Sequence, residues 1–139
     1  MARTPRLRKV VAPPGFKGYK PYGHSPVDLD DVELLYEEYE ALKLADYDFL
    51  DHQSASKLMG VSRATFARIY ESARRKIAQA LVEIRDIKTV YGNAWMDKTW
   101  FLCKRCKARF SMPETIVNHK CALCSSTNIE PITSDNKIG

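Results

Sequence analysis

His52 to Glu71 reads HQSASKLMGVSRATFARIYE, and its apolar residues are spaced as two short helices joined by a tight turn require. Ala55 and Met59 face inward from the first helix, Gly60 permits the positive φ of the turn, and Val61 fills the corner. Ser62 is predicted to cap the second helix, its hydroxyl accepting from an orphan N–H of the first turn, while Phe66 and Ile69 continue the buried side. Arg63, Ala64, Arg68 and Ser72 are left facing outward. Small residues at the start would let this helix sink into a DNA major groove, and the arginines would reach phosphates or guanine edges. Any two packed helices need a similar glycine and similar apolar contacts, so this pattern alone leaves DNA binding and plain helix packing both open.

The residues that follow favour binding. With Phe66 at the centre of the buried side, Ile69, Tyr70, Ala73, Ile77, Ala80, Leu81 and Ile84 fall in one stripe of a 3.6-residue helix, and Arg68, Arg75 and Gln79 fall opposite. Glu71 is the only acid between Ser62 and Leu81, whereas a merely solvated face would mix Glu with Lys. Upstream, Asp51 is predicted to cap the first helix. His52 reads as a surface residue of its first turn, with no second histidine nearby to complete a metal site.

Charge is distributed unevenly along the 139 residues, whose net is +5 with a pI near 9.0. Residues 1 to 26 carry six Lys or Arg and no acid, and residues 27 to 61 carry ten acids against two bases. The chain then returns to +4 over residues 62 to 88 and +3 over residues 89 to 139. The acids are expected at the surface of the helices, where they would keep one face off a polyanion while the arm, the second helix and the tail attract it. Hydrophobic residues at 45% and charged residues at 28% are a globular composition. No run approaches the roughly 18 apolar residues of a membrane span, and Val10, Val11 and Ala12 before Pro13 are too few for a signal core. The cytoplasm is the expected location, with no membrane partner.

Residues 1 to 26, MARTPRLRKVVAPPGFKGYKPYGHSP, are too rich in Pro and Gly for a helix. Arg3, Arg6, Arg8, Lys9, Lys17 and Lys20 interleave with Phe16, Tyr19 and Tyr22. Such a segment suits a basic arm that tracks a backbone or enters a minor groove; equally, its aromatics could dock on the helical domain and leave only the first residues mobile. That domain is read over residues 27 to 87. Leu29, Val32, Leu34 and Leu35 form a turn or extended lead-in, and Glu37 to Tyr47 form a supporting helix with Tyr39, Leu42 and Ala45 on one face. The stripe continues to Ile84 and Ile87 and breaks at Gly92-Asn93. Residues 88 to 97 read as a linker, unless Lys88 to Tyr91 form a strand.

The runs YEALKLAD, MGVSRATF and ESARRKIAQAL, with the opening MARTPR and Phe16, Pro21 and Gly23, carry a family resemblance. The chain resembles, over about residues 1 to 85, a prokaryotic family of uncharacterised small proteins predicted to bind DNA. Their helix-turn-helix is similar to region four of sigma factors. The most specific part is Ser62-Arg63-x-Thr65-Phe66-x-Arg68 followed by Ala73-Arg74-Arg75-Lys76. The resemblance implies the fold and DNA contact through the helix that starts at Ser62, and it implies no enzymatic activity. Ser56 stands where the first helix of the family usually has alanine, a change that loosens packing.

All four cysteines lie in residues 98 to 132, as Cys103-Lys104-Arg105-Cys106 and, after fourteen residues, Cys121-Ala122-Leu123-Cys124. A two-residue gap turns both thiolates of a pair toward one ion, and two pairs supply a closed tetrahedral site, so one structural zinc per chain is expected. Iron is the alternative ion. RFSM, WFL and NIEPI have strand character, which makes the module similar to a zinc ribbon with a knuckle at each of two hairpin turns. A thioredoxin-like redox pair fits less well, because it uses one Cys-x-x-Cys beside a βαβ pattern. Four cysteines saturate the site without His119 and leave no open position for catalysis. Lys104, Arg105, Lys107 and Arg109 would contact phosphates or offset the tetrathiolate charge. The two modules are expected to unfold separately.

The predicted fold is mainly α, a helix-turn-helix domain similar to sigma region four with a small C-terminal β zinc ribbon. The predicted function is sequence-specific binding of double-stranded DNA by a transcriptional regulator, with Arg63, Thr65, Arg68, Arg75, Arg3 and Arg6 as contacts and Ser62 as cap. No nucleotide loop, catalytic triad or paired-carboxylate pattern appears, so no catalytic residue is assigned and no enzyme is expected. RNA polymerase or another transcription protein is a further candidate partner, and homodimerisation stays open. The rival readings are an RNA-binding or ribosome-associated module and an adaptor that docks on the transcription machinery.

Overall fold

The computed structural model describes residues 7–23, 29–113 and 115–133. In chain order its elements are β1 (Arg8–Lys9), β2 (Gly18–Tyr19), β3 (Val32–Leu35), α1 (Tyr36–Leu42), a π-helical turn (Lys43–Tyr47), α2 (His52–Met59) and α3 (Arg63–Glu83). There follow β4 (Ile87–Val90), β5 (Ala94–Trp95), β6 (Trp100–Cys103), β7 (Arg109–Ser111) and β8 (Ile129–Pro131). The expectation of a mainly α fold is therefore wrong: helices share the described residues with three small sheets.

One of those sheets frames the helices. β3 pairs in parallel with β4, Val32 opposite Ile87 and Leu35 opposite Val90, and β2 adds to β4 antiparallel. Parallel neighbours need a long crossover, and here α1, α2 and α3 form it. Val-Glu-Leu-Leu alternates between buried and exposed as a half-covered strand does. A second pairing joins β1 to β5 in parallel. Residues 88 to 97, read as a linker or in part as a strand, thus contain most of β4 and all of β5. The N-terminal segment is docked from Arg8, whose N–H donates to Asn93 O at 2.8 Å. Val10 is fully buried beside Tyr36 and Ala94, and Phe16 lies edge-on to Tyr39. Tyr22 is fully exposed. Arg3, Arg6 and the 26/27 boundary lie outside the described residues.

The helical core is Ala41, Leu44, Ala55, Met59, Phe66 and Ile69, with Val61 packed at its edge. Asp51 caps α2 by accepting from Ser54 N at 2.7 Å, and this bond from the Ser54 backbone holds its carboxyl below the ordinary value. Gly60 closes α2 at φ 67° in the left-handed region that favours glycine. Ser62 Oγ accepts from Thr65 N at 3.1 Å and caps α3. His52 is half-buried, its ring edge-on to Phe66 and Tyr70 at 5.2 Å, and so is not the surface residue expected. Ser56 is buried and donates to Gln53 O at 2.8 Å, which satisfies the hydroxyl where alanine would need no partner.

The supporting helix departs most from expectation. Tyr39, Leu42 and Ala45 are only half-buried, and the buried side of α1 includes Glu37, Glu38 and Glu40. These acids were expected at the surface; each is inside because a different segment meets it. Glu37 Oε2 accepts from Asn93 N at 2.9 Å, and the absent side chain of Gly92 leaves room for that carboxylate. Glu38 accepts from Leu35 N and Lys76 Nζ, each at 2.8 Å, and from the Ser72 hydroxyl. Glu40 accepts from Val11 N. Burial raises the Glu40 carboxyl above its ordinary value, with the Val11 N–H working against it. α1 is therefore a hub that ties α3, the N-terminal segment and the loop after β4 through carboxylates.

The apolar stripe of α3 is buried at Phe66, Ile69, Ala73 and Ala80, but Leu81 is 72% exposed and Ile84 is 43% exposed. α1 and α2, of 7 and 8 residues, are too short to cover a helix of 21. No helix of the described residues is long and apolar enough to cross a membrane.

Candidate functional site

β6, β7 and β8 form an antiparallel sheet in the order β7-β6-β8. Its turns bring the sulfurs of Cys103, Cys106, Cys121 and Cys124 together, all within 4.8 Å of one another. The two Cys-x-x-Cys turns repeat the same geometry. Lys107 N donates to Cys103 O at 2.9 Å and Cys103 N to Ala108 O at 2.9 Å. In the second turn, Ser125 N donates to Cys121 O at 3.0 Å and Cys121 N to Ser126 O at 2.8 Å. Lys107 and Ser125, each next after the second cysteine, both have positive φ, 66° and 63°. Cys106 N points at Cys103 Sγ and Cys124 N at Cys121 Sγ, each at 3.4 Å.

These N–H groups favour thiolates. The bond from Cys106 N is the largest influence on Cys103 and lowers its thiol to about 6, and the bond from Cys124 N likewise lowers Cys121. Cys106 moves the other way, up to about 12: the N–H of Ala108 acts against this, but desolvation and the neighbouring sulfurs outweigh it. Four crowded sulfurs cannot all ionise unless a cation joins them. Two of the six sulfur separations match such a cation. Sulfurs at about 2.3 Å from a tetrahedral ion are about 3.8 Å apart, against 3.6 Å for Cys103 and Cys124 and 3.5 Å for Cys106 and Cys121. The four cysteines could hold a metal ion. His119 instead lies against the Phe101 ring at 5.6 Å.

The basic residues around the first turn separate in space. Lys104 is exposed and pairs with Glu130 at 3.1 Å. Arg105 and Lys107 are exposed, while half-buried Arg109 lies beside the Tyr36 hydroxyl. Burial raises that hydroxyl above its ordinary value and Arg109 opposes the shift.

A second set of candidates lies along α3. Arg63 and Arg68 are exposed. Thr65 is half-buried: its hydroxyl accepts from Ser62 Oγ at 2.9 Å and from Arg68 Nη2 at 3.3 Å, so it belongs to the cap. Arg75 is exposed on the same side and pairs with Glu71 at 3.1 Å. Arg68, Glu71, Ser72, Arg75, Lys76 and Gln79 line one shallow groove. Arg75 and Arg68 are thus brought to one surface.

The model of the family described as "Protein of unknown function DUF134" matches residues 1–97. The chain belongs to this family. It is 35% identical over 130 residues to a UPF0251 protein of Chloroherpeton thalassium, covering 94% of this chain and 86% of the relative. It is 33% identical over 135 residues to one of Methanothermobacter thermautotrophicus, covering 97% and 70%. A third, UPF0251 protein Teth39_0655 of Thermoanaerobacter pseudethanolicus, is 42% identical over 93 residues, covering 67% and 79%. No solved structure matches. The family spans bacteria and archaea. Its model ends before Cys103, but the two longer alignments reach past residue 97 into the cysteine module.

Two residues of this family member escaped the sequence reading. Lys76 enters the sequence reading only as part of the motif that carries the family resemblance, yet it joins buried Glu38 and also donates to Glu33 O at 2.8 Å. Its place beside Ser72, on the edge of the buried stripe one turn apart, was the available signal. Tyr36 was unassigned, and its burial depends on Val10, Ala94 and Ile132, which no local pattern connects to it.

Proposed function

We propose that this chain is a sequence-specific double-stranded DNA-binding protein and a transcriptional regulator. In this reading α2 and α3 act as a helix-turn-helix similar to sigma region four, with the start of α3 in the major groove, and the cysteine module holds one structural zinc ion per chain. The observation that carries it is the outward side of α3. Arg68 and Arg75 are exposed there, with Arg63 exposed at the first turn; exposed Glu71 is paired with Arg75, and Glu37, Glu38 and Glu40 of α1 are buried and bonded.

Arg63 and Arg68 would read base edges. Thr65, its hydroxyl engaged in the cap, would offer its methyl to a thymine. Arg75 would leave its exposed pair with Glu71, worth at most about 1 kcal/mol, for a phosphate. Arg3 and Arg6 would add contacts from the arm. Zinc fits the all-sulfur donor set and would contribute folding energy to a module too small to bury a large core.

The test compares wild type, Arg68→Ala and Arg75→Ala on duplexes selected from genomic DNA, with structured RNA and RNA polymerase assayed at the same salt. A base contact at Arg68 should be worth about 1 to 3 kcal/mol, confined to selected sequence. A phosphate contact at Arg75 should weaken all duplexes and reduce the salt slope by about one. Full affinity in the double variant would exclude α3 from the interface. Metal analysis of the reduced protein should find one zinc, and Cys103→Ser should abolish it; no metal with four titratable thiols would end the zinc reading.

A further inference from the structure

A cavity of ≈ 440 Å³ opens between α1, the π-helical turn, α3 and the β2 segment. Its walls are aromatic and aliphatic in equal number: Phe16, Tyr19, Tyr39 and Tyr47 line it together with Leu34, Leu42, Ile77 and Ile87. Phe16 stands edge-on to Tyr19 at 4.7 Å and to Tyr39 at 5.9 Å, so the rings meet at steep angles, as the walls of a cage do. The volume is that of a small-molecule site. The π-helical turn supplies Lys43, Asp46 and Tyr47 to the rim, and such turns recur at functional sites.

The charge of the rim selects the ligand. Lys43 is already met by Asp48 at 2.9 Å. Asp46 accepts from the Tyr70 hydroxyl through Oδ1 at 2.6 Å, and its carboxylate is the charge left uncompensated at the cavity. Aromatic faces are negative and attract organic cations. We propose that this cavity is a binding site for a small hydrophobic organic cation, of the aryl or alkyl quaternary-ammonium class, held by Phe16, Tyr39 and Tyr47 with Asp46 as its counter-ion. Tyr19 and Tyr47, 62% and 76% exposed, lie at the mouth. The site stands whether or not α3 touches DNA.

The experiment is an NMR titration of the full chain with benzyltrimethylammonium, with benzyl alcohol and benzoate as neutral and anionic controls of similar size. The cation should give saturable shifts at Phe16, Tyr39 and Ile77 and bind more tightly than either control. Tyr47→Ala, a change at an exposed residue, should weaken it by about two- to fivefold, the worth of one exposed cation–π contact. Asp46→Asn should weaken the cation and leave benzyl alcohol unchanged. Equal binding of the three compounds, unchanged affinity in both variants, or no saturable shift in the cavity would each overturn the assignment.

Discussion

Glu38→Ala should be among the most damaging single substitutions in this protein. The side chain is 4% exposed and bonds Lys76 Nζ and Leu35 N at 2.8 Å as well as the Ser72 hydroxyl. Breaking a fully buried pair costs about 3 to 5 kcal/mol, most of it from the abandoned charge. Here Lys76 is 30% exposed and keeps its bond to Glu33 O, so water can recover part of that cost. Loss of the N-terminal bond at Leu35 adds about 1 kcal/mol. The expected loss is about 2 to 4 kcal/mol, a large share of the roughly 5 to 15 kcal/mol that holds a typical domain together. Glu38→Gln keeps the shape and an acceptor, and should cost about 1 to 2 kcal/mol because only the charge is lost. Urea unfolding followed by far-ultraviolet circular dichroism reads both. A loss under about 0.5 kcal/mol for Glu38→Ala, too small for any buried hydrogen bond, would refute the view that this carboxylate clamps α1 to α3.

Ile84 ends α3 at φ 56°, where a β-branched side chain is strained. Ile84→Gly should raise stability by about 0.5 to 1 kcal/mol, seen as a Tm increase of about 2 to 4 °C. Ser125 has the same backbone conformation beside Cys124; Ser125→Gly should relieve about 1 kcal/mol and tighten a metal ion held by the four cysteines about fivefold, measured by chelator competition. Glu40 carries its carboxyl above the ordinary 4.5 because of burial. The folded chain thus holds this proton more tightly than the unfolded one, and the contribution of Glu40 to stability falls as pH rises from the unfolded value through the folded one. Glu40→Gln should remove that falling component and be no less stable than wild type at pH 7; an unchanged stability–pH curve would contradict it.

What the sequence made legible was local chemistry. Gly60, Asp51 and Ser62 announce a turn and two caps within a few residues, and the spacing of the two Cys-x-x-Cys turns announces a cluster of four sulfurs that could hold a metal ion. The burial of Ala55, Met59, Phe66 and Ile69 follows from a period that one helix carries by itself. Parallel β3 and β4 were not legible, because neither strand contains its partner and three helices separate them. The glutamates of α1 misled for a related reason. By type they belong in water, and their donors come from Val11, Lys76 and Asn93, distant in sequence. Even the stripe of α3 overstated burial at Leu81, since periodicity shows which side a residue faces and not whether anything lies opposite.

The same hub bears on how far the cysteine module stands apart from the helices. Ile132, just past β8, packs with Met96 and Tyr91 on the cluster of Val10, Tyr36 and Ala94, and Arg109 of β7 lies beside the Tyr36 hydroxyl. Phe110 packs with Phe101, Met112 and Ile129 against the cysteines, and a metal ion held there would add folding energy that keeps β7 and β8 in place. Their release would take Ile132 and Arg109 away from Tyr36 and uncover the cluster that seats β1 against β5. The second core, Ala41 to Ile69, shares none of these residues and is closed by Phe66 and Met59, both fully buried. Disorder that begins at the cysteines therefore has a path to the N-terminal segment through Tyr36, and meets in α1 a helix held from its other side by Lys76 and Ser72 of α3.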